Sequence, residues 1–397
     1  MHAIPGLGSF HFEPWFWGAP PWVPCSLMPD LFDVIVLGGG AWGSAVTQHL
    51  AMRNRRVLCL DQFVPPHGKG SSHGRSRVIR PGTSLPEQNG PLIQRAFELW
   101  HRLERDSHTA LLQLTGFLSV GTPESERIAN LLEGYIPLSV PHKVMSPPEV
   151  AQQFPRLRLE ANEIGLYEPE AGRLDPEACV HAALELATRH GASLRFGERA
   201  DDWTADANEI AVSTSKGKYR ASWLVLALGP WTSGLLKVDL PLWVERQVTV
   251  WYRDTEGGLP ILSFPAQAPA HSLYGVPEPN GFVKFAFHHG GTAVHPESVP
   301  SVTAAEVTSI SSLVRERCPD LMGVAESATC MYTNTPDYQY VIGRHPDSAR
   351  VIVAAGGSGR GFHQAQVVGE MVANYVEGRP IAQGSFMSPD RFRDRTS

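Results

Sequence analysis

The sequence lacks the features of a membrane-spanning or nucleic-acid-binding protein. No stretch of its 397 residues approaches the roughly 20 consecutive apolar residues that a membrane-spanning helix requires. It has no run of lysine or arginine, and its formal net charge is -6 at pH 7, which argues against nucleic acid or an anionic membrane as the main partner. We therefore expect a small-molecule ligand.

Cysteine is scarce and scattered. The five cysteines are odd in number, and none belongs to a C-x-x-C pair of the kind that holds zinc or exchanges disulfides. The spacing therefore predicts no metal site, and a reducing cytoplasm is the expected location. The cysteines are Cys25, Cys59, Cys179, Cys318 and Cys330.

Residues 1–30 lack the basic n-region and the continuous apolar core of a secretory signal. They contain Trp15, Trp17 and Trp22 among several prolines, and we expect a poorly ordered N-terminal extension. Because Met28 stands just before the first clear strand, one hypothesis is that the natural protein starts there. Detection of residues 1–27 in native protein by mass spectrometry would contradict it.

The first strong positive signal is a strand followed by a glycine-rich turn. The run Phe32–Leu37 is short, apolar and β-branched, as expected of a strand buried on both faces. Gly38, Gly40 and Gly43 then form a G-x-G-x-x-G pattern. In order, these glycines permit a tight turn, close approach of the backbone to a pyrophosphate, and close packing of a helix on the strand.

A helix predicted over Ala41–Arg53 and a strand over Arg56–Leu60 complete a βαβ unit. The helix N-terminus favours a negatively charged phosphate. Asp61 ends the second strand, 18 positions after Gly43, where its carboxylate can accept hydrogen bonds from an adenosine ribose. Although glycine-rich turns are common, the complete unit predicts a dinucleotide site.

Two later segments repeat parts of this arrangement. The apolar strand Val351–Ala355 leads into the glycine-rich segment 356–361 and a helix predicted over His363–Glu377, so a second helix N-terminus can face the ligand. The apolar run Trp223–Ala227 ends in the segment 229–231, as expected of a strand that returns to the nucleotide-binding sheet.

The intervening segments predict a second, β-rich domain. Strands are predicted over Gly116–Val120, Gln247–Trp251, Ser272–Val276 and Phe282–Phe287. Helices are predicted over Pro91–Asp106, Glu124–Glu133, Pro176–Arg189, which Asp175 caps, and Thr303–Arg317.

An NAD enzyme and an FAD enzyme can share the opening βαβ unit, so the rest of the chain must decide between them. The stretches FDVIVLGGGAWGSA, PPHGKGSSHGRSRVIR, WLVLALGPWTS, KFAFH, CMYTNTPD and AAGGSGRGF occur in this order. In this the chain resembles the monomeric sarcosine oxidase family, which includes N-methyltryptophan, pipecolate and fructosyl amino acid oxidases. The resemblance spans roughly residues 31–385 and favours FAD.

The resemblance implies an α/β fold of two domains, in which a glutathione-reductase-like Rossmann FAD-binding domain accompanies a β-rich substrate domain. It also implies oxidation of a secondary amine, such as an N-methyl or cyclic amino acid, by dioxygen to an imine, with hydrogen peroxide as the second product. We expect a monomer. The FAD-binding domain is predicted over residues 31–110, 170–245 and 330–390, and the substrate domain over residues 111–169 and 246–329.

The resemblance also implies roles for individual residues. Cys330, in the CMYT segment, is implied to carry FAD through a thioether bond. Lys284 is implied to activate dioxygen, which fits the ability of a fixed cation to stabilise superoxide. This lysine lies inside an apolar run of a chain with only 6 lysines and 28 arginines. We therefore do not expect it to be an ordinary solvent-exposed lysine. Arg77 and His288 complete the expected catalytic set.

The remaining expected residues bind substrate or cofactor. Arg80 is expected to pair with the substrate carboxylate and Tyr274 to line the pocket. The family usually reads G-x-S-G-H-G-F-K, but this chain has Arg360 in place of the histidine and His363 in place of the lysine that helps to bind the carboxylate. The expected FAD contacts are Gly38, Gly40, Gly43, Asp61, Ser71, Ser72, His73, Arg77, Gly229, Trp231, Cys330, Gly357, Ser358, Gly359, Gly361 and Phe362.

Three alternatives stay open. The chain could pass electrons to a quinone or other carrier instead of dioxygen, or serve as a flavoprotein subunit that has lost catalysis, as the change at His363 would allow. A nicotinamide dehydrogenase is the third, and a colourless protein that retains NAD would support it.

Overall fold

A computed structural model describes residues 31–206, 208–268, 272–321, 323–379 and 386–395. The predicted extension over residues 1–30 and the hypothesis about Met28 lie outside these ranges. From Leu31 onward the chain forms one compact unit. Within the described ranges, no helix is both long and apolar enough to cross a membrane.

The described residues form twenty strands and eight α-helices. The strands are β1 (Leu31–Leu37), β2 (Val57–Asp61), β3 (Arg77–Ile79), β4 (Leu112–Leu114), β5 (Phe117–Gly121), β6 (Lys143–Met145), β7 (Ile164–Glu168), β8 (Gly172–Leu174), β9 (Ser193–Phe196), β10 (Ala200–Ala205), β11 (Ile210–Thr214), β12 (Gly217–Leu226), β13 (Trp243–Arg253), β14 (Ile261–Pro265), β15 (Ser272–Glu278), β16 (Phe282–His288), β17 (Thr292–Ala293), β18 (Val324–Asn334), β19 (Val341–His345) and β20 (Ser348–Ala355). The helices are α1 (Ala41–Ala51), α2 (Pro86–Ser107), α3 (Glu126–Leu138), α4 (Pro147–Gln153), α5 (Pro176–Arg189), α6 (Thr232–Leu235), α7 (Ala304–Arg317) and α8 (Ala365–Val376).

The first sheet has eight strands, five of which run parallel in the order β20-β12-β1-β2-β9. Strand β1 is buried on both faces, because Val34 and Val36 pack with α1 and α8 whereas Ile35 and Leu37 pack on the opposite side. The carboxyl ends of β1, β2, β12 and β20 meet at one edge, which is where such sheets bind ligands.

The second sheet has nine strands and is antiparallel except where β5 pairs with β14. Its strands follow the order β18-β13-β16-β15-β14-β5-β7-β6, and β17 pairs with the start of β13. One face packs on α7 around Val283 and Phe285. The alternate residues of β16, which include Lys284, point to the other face. A third, small sheet has the order β3-β8-β4.

Most predicted elements are present, with shifted ends. Helix α5 begins at Pro176 as predicted, and Asp175 caps it by accepting hydrogen bonds from two backbone N–H groups. The helix predicted from Pro91 begins at Pro86 instead, so Pro91 lies inside α2. The prediction was wrong because either proline satisfies the preference of the first helical turn for a residue without an N–H group.

Candidate active site

The two large sheets line one cavity of about 960 Å³. Every predicted site residue lines this cavity except Gly43, which lies behind it. The cavity opens at the carboxyl ends of the parallel strands and extends over the β16 face that carries Lys284. The folded chain therefore brings together residues from almost its whole described length.

The turn after β1 is compact because of its glycines. Gly38 has φ +99°, and a Cβ atom there would lie 2.3 Å from the carbonyl oxygen of Ala227. A Cβ atom on Gly43 would lie 1.8 Å from the carbonyl oxygen of Gly38. Asp61 accepts hydrogen bonds from the N–H groups of Gly39, at 2.7 Å, and Phe63, at 2.8 Å, which fixes its carboxylate at the cavity wall.

The N-terminus of α1 faces the cavity and has no side-chain cap from Gly40. Ser72 lies beside it and accepts a hydrogen bond from the N–H group of Ala41 at 2.9 Å. The hydroxyl of Ser71 lines the cavity and is buried without a partner in the described chain. Unpartnered donors around a helix N-terminus suit a negatively charged group.

The turn after β20 forms the adjoining wall. Ser358 has φ +45°, a conformation that non-glycine residues rarely adopt and that occurs at functional turns. Its N–H group donates to the carbonyl oxygen of Thr333 at 2.9 Å. The indole of Trp42, at the start of α1, donates to the carbonyl oxygen of Gly361 at 2.7 Å. Phe362 stacks on Trp100 with ring centroids 6.1 Å apart.

The sheet register places the expected catalytic residues on one face. Lys284 pairs with Trp251 on one side and Val276 on the other, and His288 pairs with Ser272. Cys330 on β18 pairs with Gln247 on β13. Because directly opposed residues point to the same side of a sheet, these side chains line the cavity together.

Lys284 is 4% exposed, and its ammonium donates to both oxygens of Ser76. Burial and the nearby charge of Arg77 lower the pKa of Lys284 to about 7, although Glu278 opposes the shift. The lysine can therefore gain or lose a proton near neutral pH.

Cys330 is the described cysteine with an acidic thiol. Burial alone would raise the pKa of Cys330, but His73, Arg77 and Lys284 outweigh burial and lower the value to about 7. Burial raises the pKa of Cys59 and of Cys318 to about 12. A thiolate, which is the reactive form of cysteine, is therefore accessible at Cys330.

The two arginines of the predicted loop have different partners. Arg77 donates to the carbonyl oxygens of Ser71, Ser76 and His73 at 2.6 to 2.8 Å. Arg80 instead forms an ion pair with Glu168, and it lies 4.2 Å from the centroid of the Phe117 ring.

Glu168 is fully buried and lies behind Arg80. It accepts hydrogen bonds from the Tyr135 hydroxyl at 2.6 Å and from the N–H group of Gly82 at 2.8 Å. Its charge neutralises the guanidinium of Arg80, whose Nε is buried without a partner among the described residues. Arg80 therefore keeps a hydrogen-bond donor but little net charge for a ligand.

The expected second anchor is uncharged. Burial, together with the charges of Arg360 and Arg80, lowers the pKa of His363 to about 4. Its Nε2 is buried and has no partner in the described part of the chain. Arg360 lines the cavity and donates to the carbonyl oxygen of Tyr338 at 2.7 Å. His363 can thus form a hydrogen bond but supplies no positive charge at neutral pH.

Two tyrosine rings lie close to the imidazole ring of His288. Its ring centroid lies 5.8 Å from that of Tyr332 and 6.4 Å from that of Tyr274. A Cβ atom on Gly359 would lie 2.6 Å from the Tyr332 ring and 2.9 Å from the His288 ring. The turn after β20 therefore directly contacts the side chains of Tyr332 and His288.

Sequence reasoning did not single out several residues of the site. Glu168 and Glu278 each end a largely apolar strand, as Asp61 does, and this shared position is a signal that could have found them. Ser76 lies in the predicted loop beside Arg77. No local pattern distinguishes Arg127, which also lines the cavity.

Comparison with known proteins decides the family. The family model described as "FAD dependent oxidoreductase" matches residues 33–375. The chain belongs to this FAD-dependent oxidoreductase family. It is 38% identical to monomeric sarcosine oxidase of Streptomyces avermitilis, over 87% of this chain and 94% of that protein. It is 34% identical to human peroxisomal sarcosine oxidase, over 86% and 91%.

A solved structure of NikD, described as an unusual amino acid oxidase, has a similar fold. Its TM-score is 0.82 at 24% identity, and the match covers 90% of this chain and 97% of NikD. The predicted mixed α/β flavoprotein fold is confirmed, as is the prediction of an FAD-dependent oxidoreductase. The alternative of a nicotinamide dehydrogenase is not supported.

The cavity fits FAD. Its glycine turn, the N-terminus of α1 and the unpartnered hydroxyl of Ser71 suit a pyrophosphate, and Asp61 suits a ribose. No group of three or more His, Cys, Asp or Glu residues in the described ranges is arranged to hold a metal ion.

Proposed function

We propose that this chain oxidises the secondary amine of an N-methyl or cyclic amino acid, with FAD bound covalently through Cys330 and dioxygen as the electron acceptor. Its monomeric sarcosine oxidase and human sarcosine oxidase relatives support this reaction class. For an N-methyl substrate, the amine, dioxygen and water give the demethylated amine, formaldehyde and hydrogen peroxide. FAD, when bound, would take two electrons from the substrate and pass them to dioxygen.

The expected cofactor residues define how FAD would be held. Gly38, Gly40 and the N-terminus of α1 suit the pyrophosphate, and Asp61 suits the ribose. The acidic thiol of Cys330 supports covalent attachment, because the thiolate is the nucleophile that forms such a bond. We propose that the FAD-binding domain comprises residues 31–110, 170–245 and 330–390, and the substrate domain residues 111–169 and 246–329.

Substrate binding would use the orphaned donors of the cavity. We assign the α-carboxylate to the unpartnered Nε of Arg80 and Nε2 of His363. Tyr274 and His288 would flank the substrate, and Arg360 would contribute positive potential from the turn after β20. These residues orient the amine and exclude water without acting as a strong base.

Lys284 would promote the reaction with dioxygen. In its protonated state the buried ammonium favours the negative charge that develops as an electron reaches oxygen, and Arg77 adds a second cation nearby. The relatives named monomeric sarcosine oxidase support a monomer. The free state of the four described cysteines fits a reducing, cytoplasmic location.

The observation that carries this proposal is the meeting of Lys284, Cys330 and Arg77 on one cavity face. The test begins with acid denaturation of purified protein. Yellow colour and the mass of FAD should stay with the peptide that contains Cys330. Anaerobic addition of sarcosine or another N-methyl amino acid should then bleach the flavin of native protein, and air should restore the colour with release of hydrogen peroxide.

Two variants sharpen this test. Cys330→Ala should release its flavin in acid, whereas Cys318→Ala, which removes an inert buried thiol, should retain it. Flavin that leaves the wild-type peptide in acid overturns the covalent assignment. Failure of N-methyl and cyclic amino acids to bleach the flavin overturns the proposed reaction and favours a subunit without catalysis. Bleaching without peroxide on exposure to air favours a carrier-linked dehydrogenase.

A further inference from the structure

One part of the cavity contains an arginine that the proposed reaction does not use. Arg127, at the start of α3, lines the cavity next to β14. Its guanidinium donates to the carbonyl oxygen of Val120 at 2.8 Å and to the hydroxyl of Ser263 at 2.6 Å. Both acceptors are neutral, so these contacts orient the guanidinium without balancing its charge.

Several other arginines with little exposed side chain have an acidic partner, although Arg173, which donates to Gln113 and Pro277, does not. Arg80 pairs with Glu168, Arg156 with Asp254, and Arg317 with Glu163. No described carboxylate lies within ion-pair distance of Arg127. A partly buried charge without a counterion is unfavourable, and burial together with the charge of Arg80 lowers the pKa of Arg127 to about 10. The guanidinium still remains protonated at neutral pH, so an anionic ligand would relieve this imbalance.

The sheet register relates Ser263, the residue that Arg127 contacts, to the strand that carries Lys284. Ser263 is paired with Tyr274, which is paired with Ala286, two residues from Lys284. Two strand spacings of about 4.8 Å separate Ser263 from Ala286, roughly 10 Å in total. A group held at Arg127 therefore lies on the cavity wall beside the face that carries Lys284, and Arg80 is near enough for its charge to act on Arg127.

We propose that Arg127 binds a second anionic group of the substrate, the side-chain carboxylate of an acidic N-alkyl amino acid. This inference rests on the proposed amine oxidation. The α-carboxylate would still use the donors of Arg80 and His363, whose charge is balanced or absent. Ser263 and Ser272, which also line the cavity, supply a polar wall around the second carboxylate.

The test compares isosteric substrates that differ by one charge. Anaerobic flavin reduction of the holoenzyme is measured with N-methyl-L-glutamate and N-methyl-L-glutamine, and with sarcosine as a reference. We expect the ratio of reduction rate to dissociation constant to be at least about tenfold higher for N-methyl-L-glutamate, as one charge-assisted pair provides. Arg127→Met should abolish this preference by lowering the value for N-methyl-L-glutamate much more than the value for N-methyl-L-glutamine. Arg102→Met, which removes an exposed arginine on α2, should preserve it.

A binding measurement serves as a second readout. Glutarate should perturb the absorption spectrum of the bound flavin at lower concentration than butyrate, and Arg127→Met should remove the difference. Equal values for the two amino acids, while sarcosine still reduces the flavin, overturn the role of Arg127 and leave the proposed function intact. An equal loss for every substrate in Arg127→Met also overturns it, because Arg127 would then serve the common part of the molecule. If neither sarcosine nor the N-methyl amino acids reduce the wild-type flavin, the proposed function itself fails.

Discussion

The ammonium group of Lys284 lies 2.8 Å from the main-chain oxygen of Ser76 and 2.8 Å from its hydroxyl oxygen. The same hydroxyl donates to Glu278 at 2.8 Å. A buried carboxylate thus acts on the lysine through one serine. Trp251 and Arg75 hold that carboxylate from the other side.

Glu278→Gln should move the pH dependence of flavin reoxidation. The pKa of Lys284 is about 7, and Glu278 is among the groups that raise it against burial and Arg77. If reoxidation needs the ammonium, its rate falls as the pH rises through this pKa. Loss of the anion should shift that fall to lower pH by on the order of one unit. Stopped-flow reoxidation across neutral pH measures this.

Glu326→Gln is the matched control for Glu278→Gln. Glu326 pairs with Arg75 but is half exposed. The pH dependence of flavin reoxidation in Glu326→Gln should therefore match that of the wild type. A Glu278→Gln profile that coincides with the wild type would show that the carboxylate does not tune Lys284.

Lys284→Met should slow reoxidation on the order of 100-fold, the usual effect of removing one fixed charge that stabilises a developing anion. Anaerobic reduction by an amine should change much less. Lys237→Met removes a more exposed lysine that pairs with Asp202 and should leave both half-reactions unchanged. Similar losses in both half-reactions of Lys284→Met would argue against a specific role in dioxygen activation.

Glu168→Gln should both destabilise the protein and alter ligand binding. Arg80 would lose its buried counterion, a change that typically lowers the free energy of unfolding by about 3 kcal/mol or more. The uncompensated guanidinium should then bind carboxylate ligands more tightly. Urea unfolding and flavin-monitored titration with butyrate measure the two effects.

Glu163→Gln provides the comparison for Glu168→Gln. It breaks the similarly buried ion pair between Glu163 and Arg317. Neither residue of this pair lines the cavity. It should lower stability without affecting butyrate binding. Equal ligand affinity in the two variants would mean that Glu168 does not restrain Arg80.

His363→Lys should lower the KM for sarcosine, by about tenfold if the new ammonium pairs with the carboxylate. The reason is that His363 has a pKa of about 4 and is neutral at working pH. For the same reason, the wild-type KM should show no histidine titration at this site near neutral pH. His190→Lys, at an exposed position after α5, is the control. An unchanged KM would place the carboxylate away from His363.

Local patterns predicted the elements that surround the cofactor because each depends on neighbours in sequence. The β1 turn needs its glycines within a few residues, and α5 needs Asp175 and Pro176 in adjacent positions. Even so, α3 runs over Glu126–Leu138 rather than ending at Glu133, since helix ends are set largely by tertiary packing.

The electrostatic state of the site could not be predicted in the same way. Arg80 is neutralised by a residue 88 positions later in the chain, and Lys284 is bonded to a residue 208 positions earlier. Arg127 reaches the cavity only because β5 pairs with β14. Local patterns in a single sequence do not reveal contacts between residues so far apart in the chain.

The hydrogen bond from Trp42 to Gly361 closes the cavity between its first and last walls. Translation makes the β1 turn early, but the wall after β20 emerges from the ribosome only much later. A ribosome-bound chain that stops before β20 has no parallel neighbour on that side of β12 and an open cofactor site. The walls of the cofactor site are therefore complete only after β20 and the turn that follows it have been synthesised.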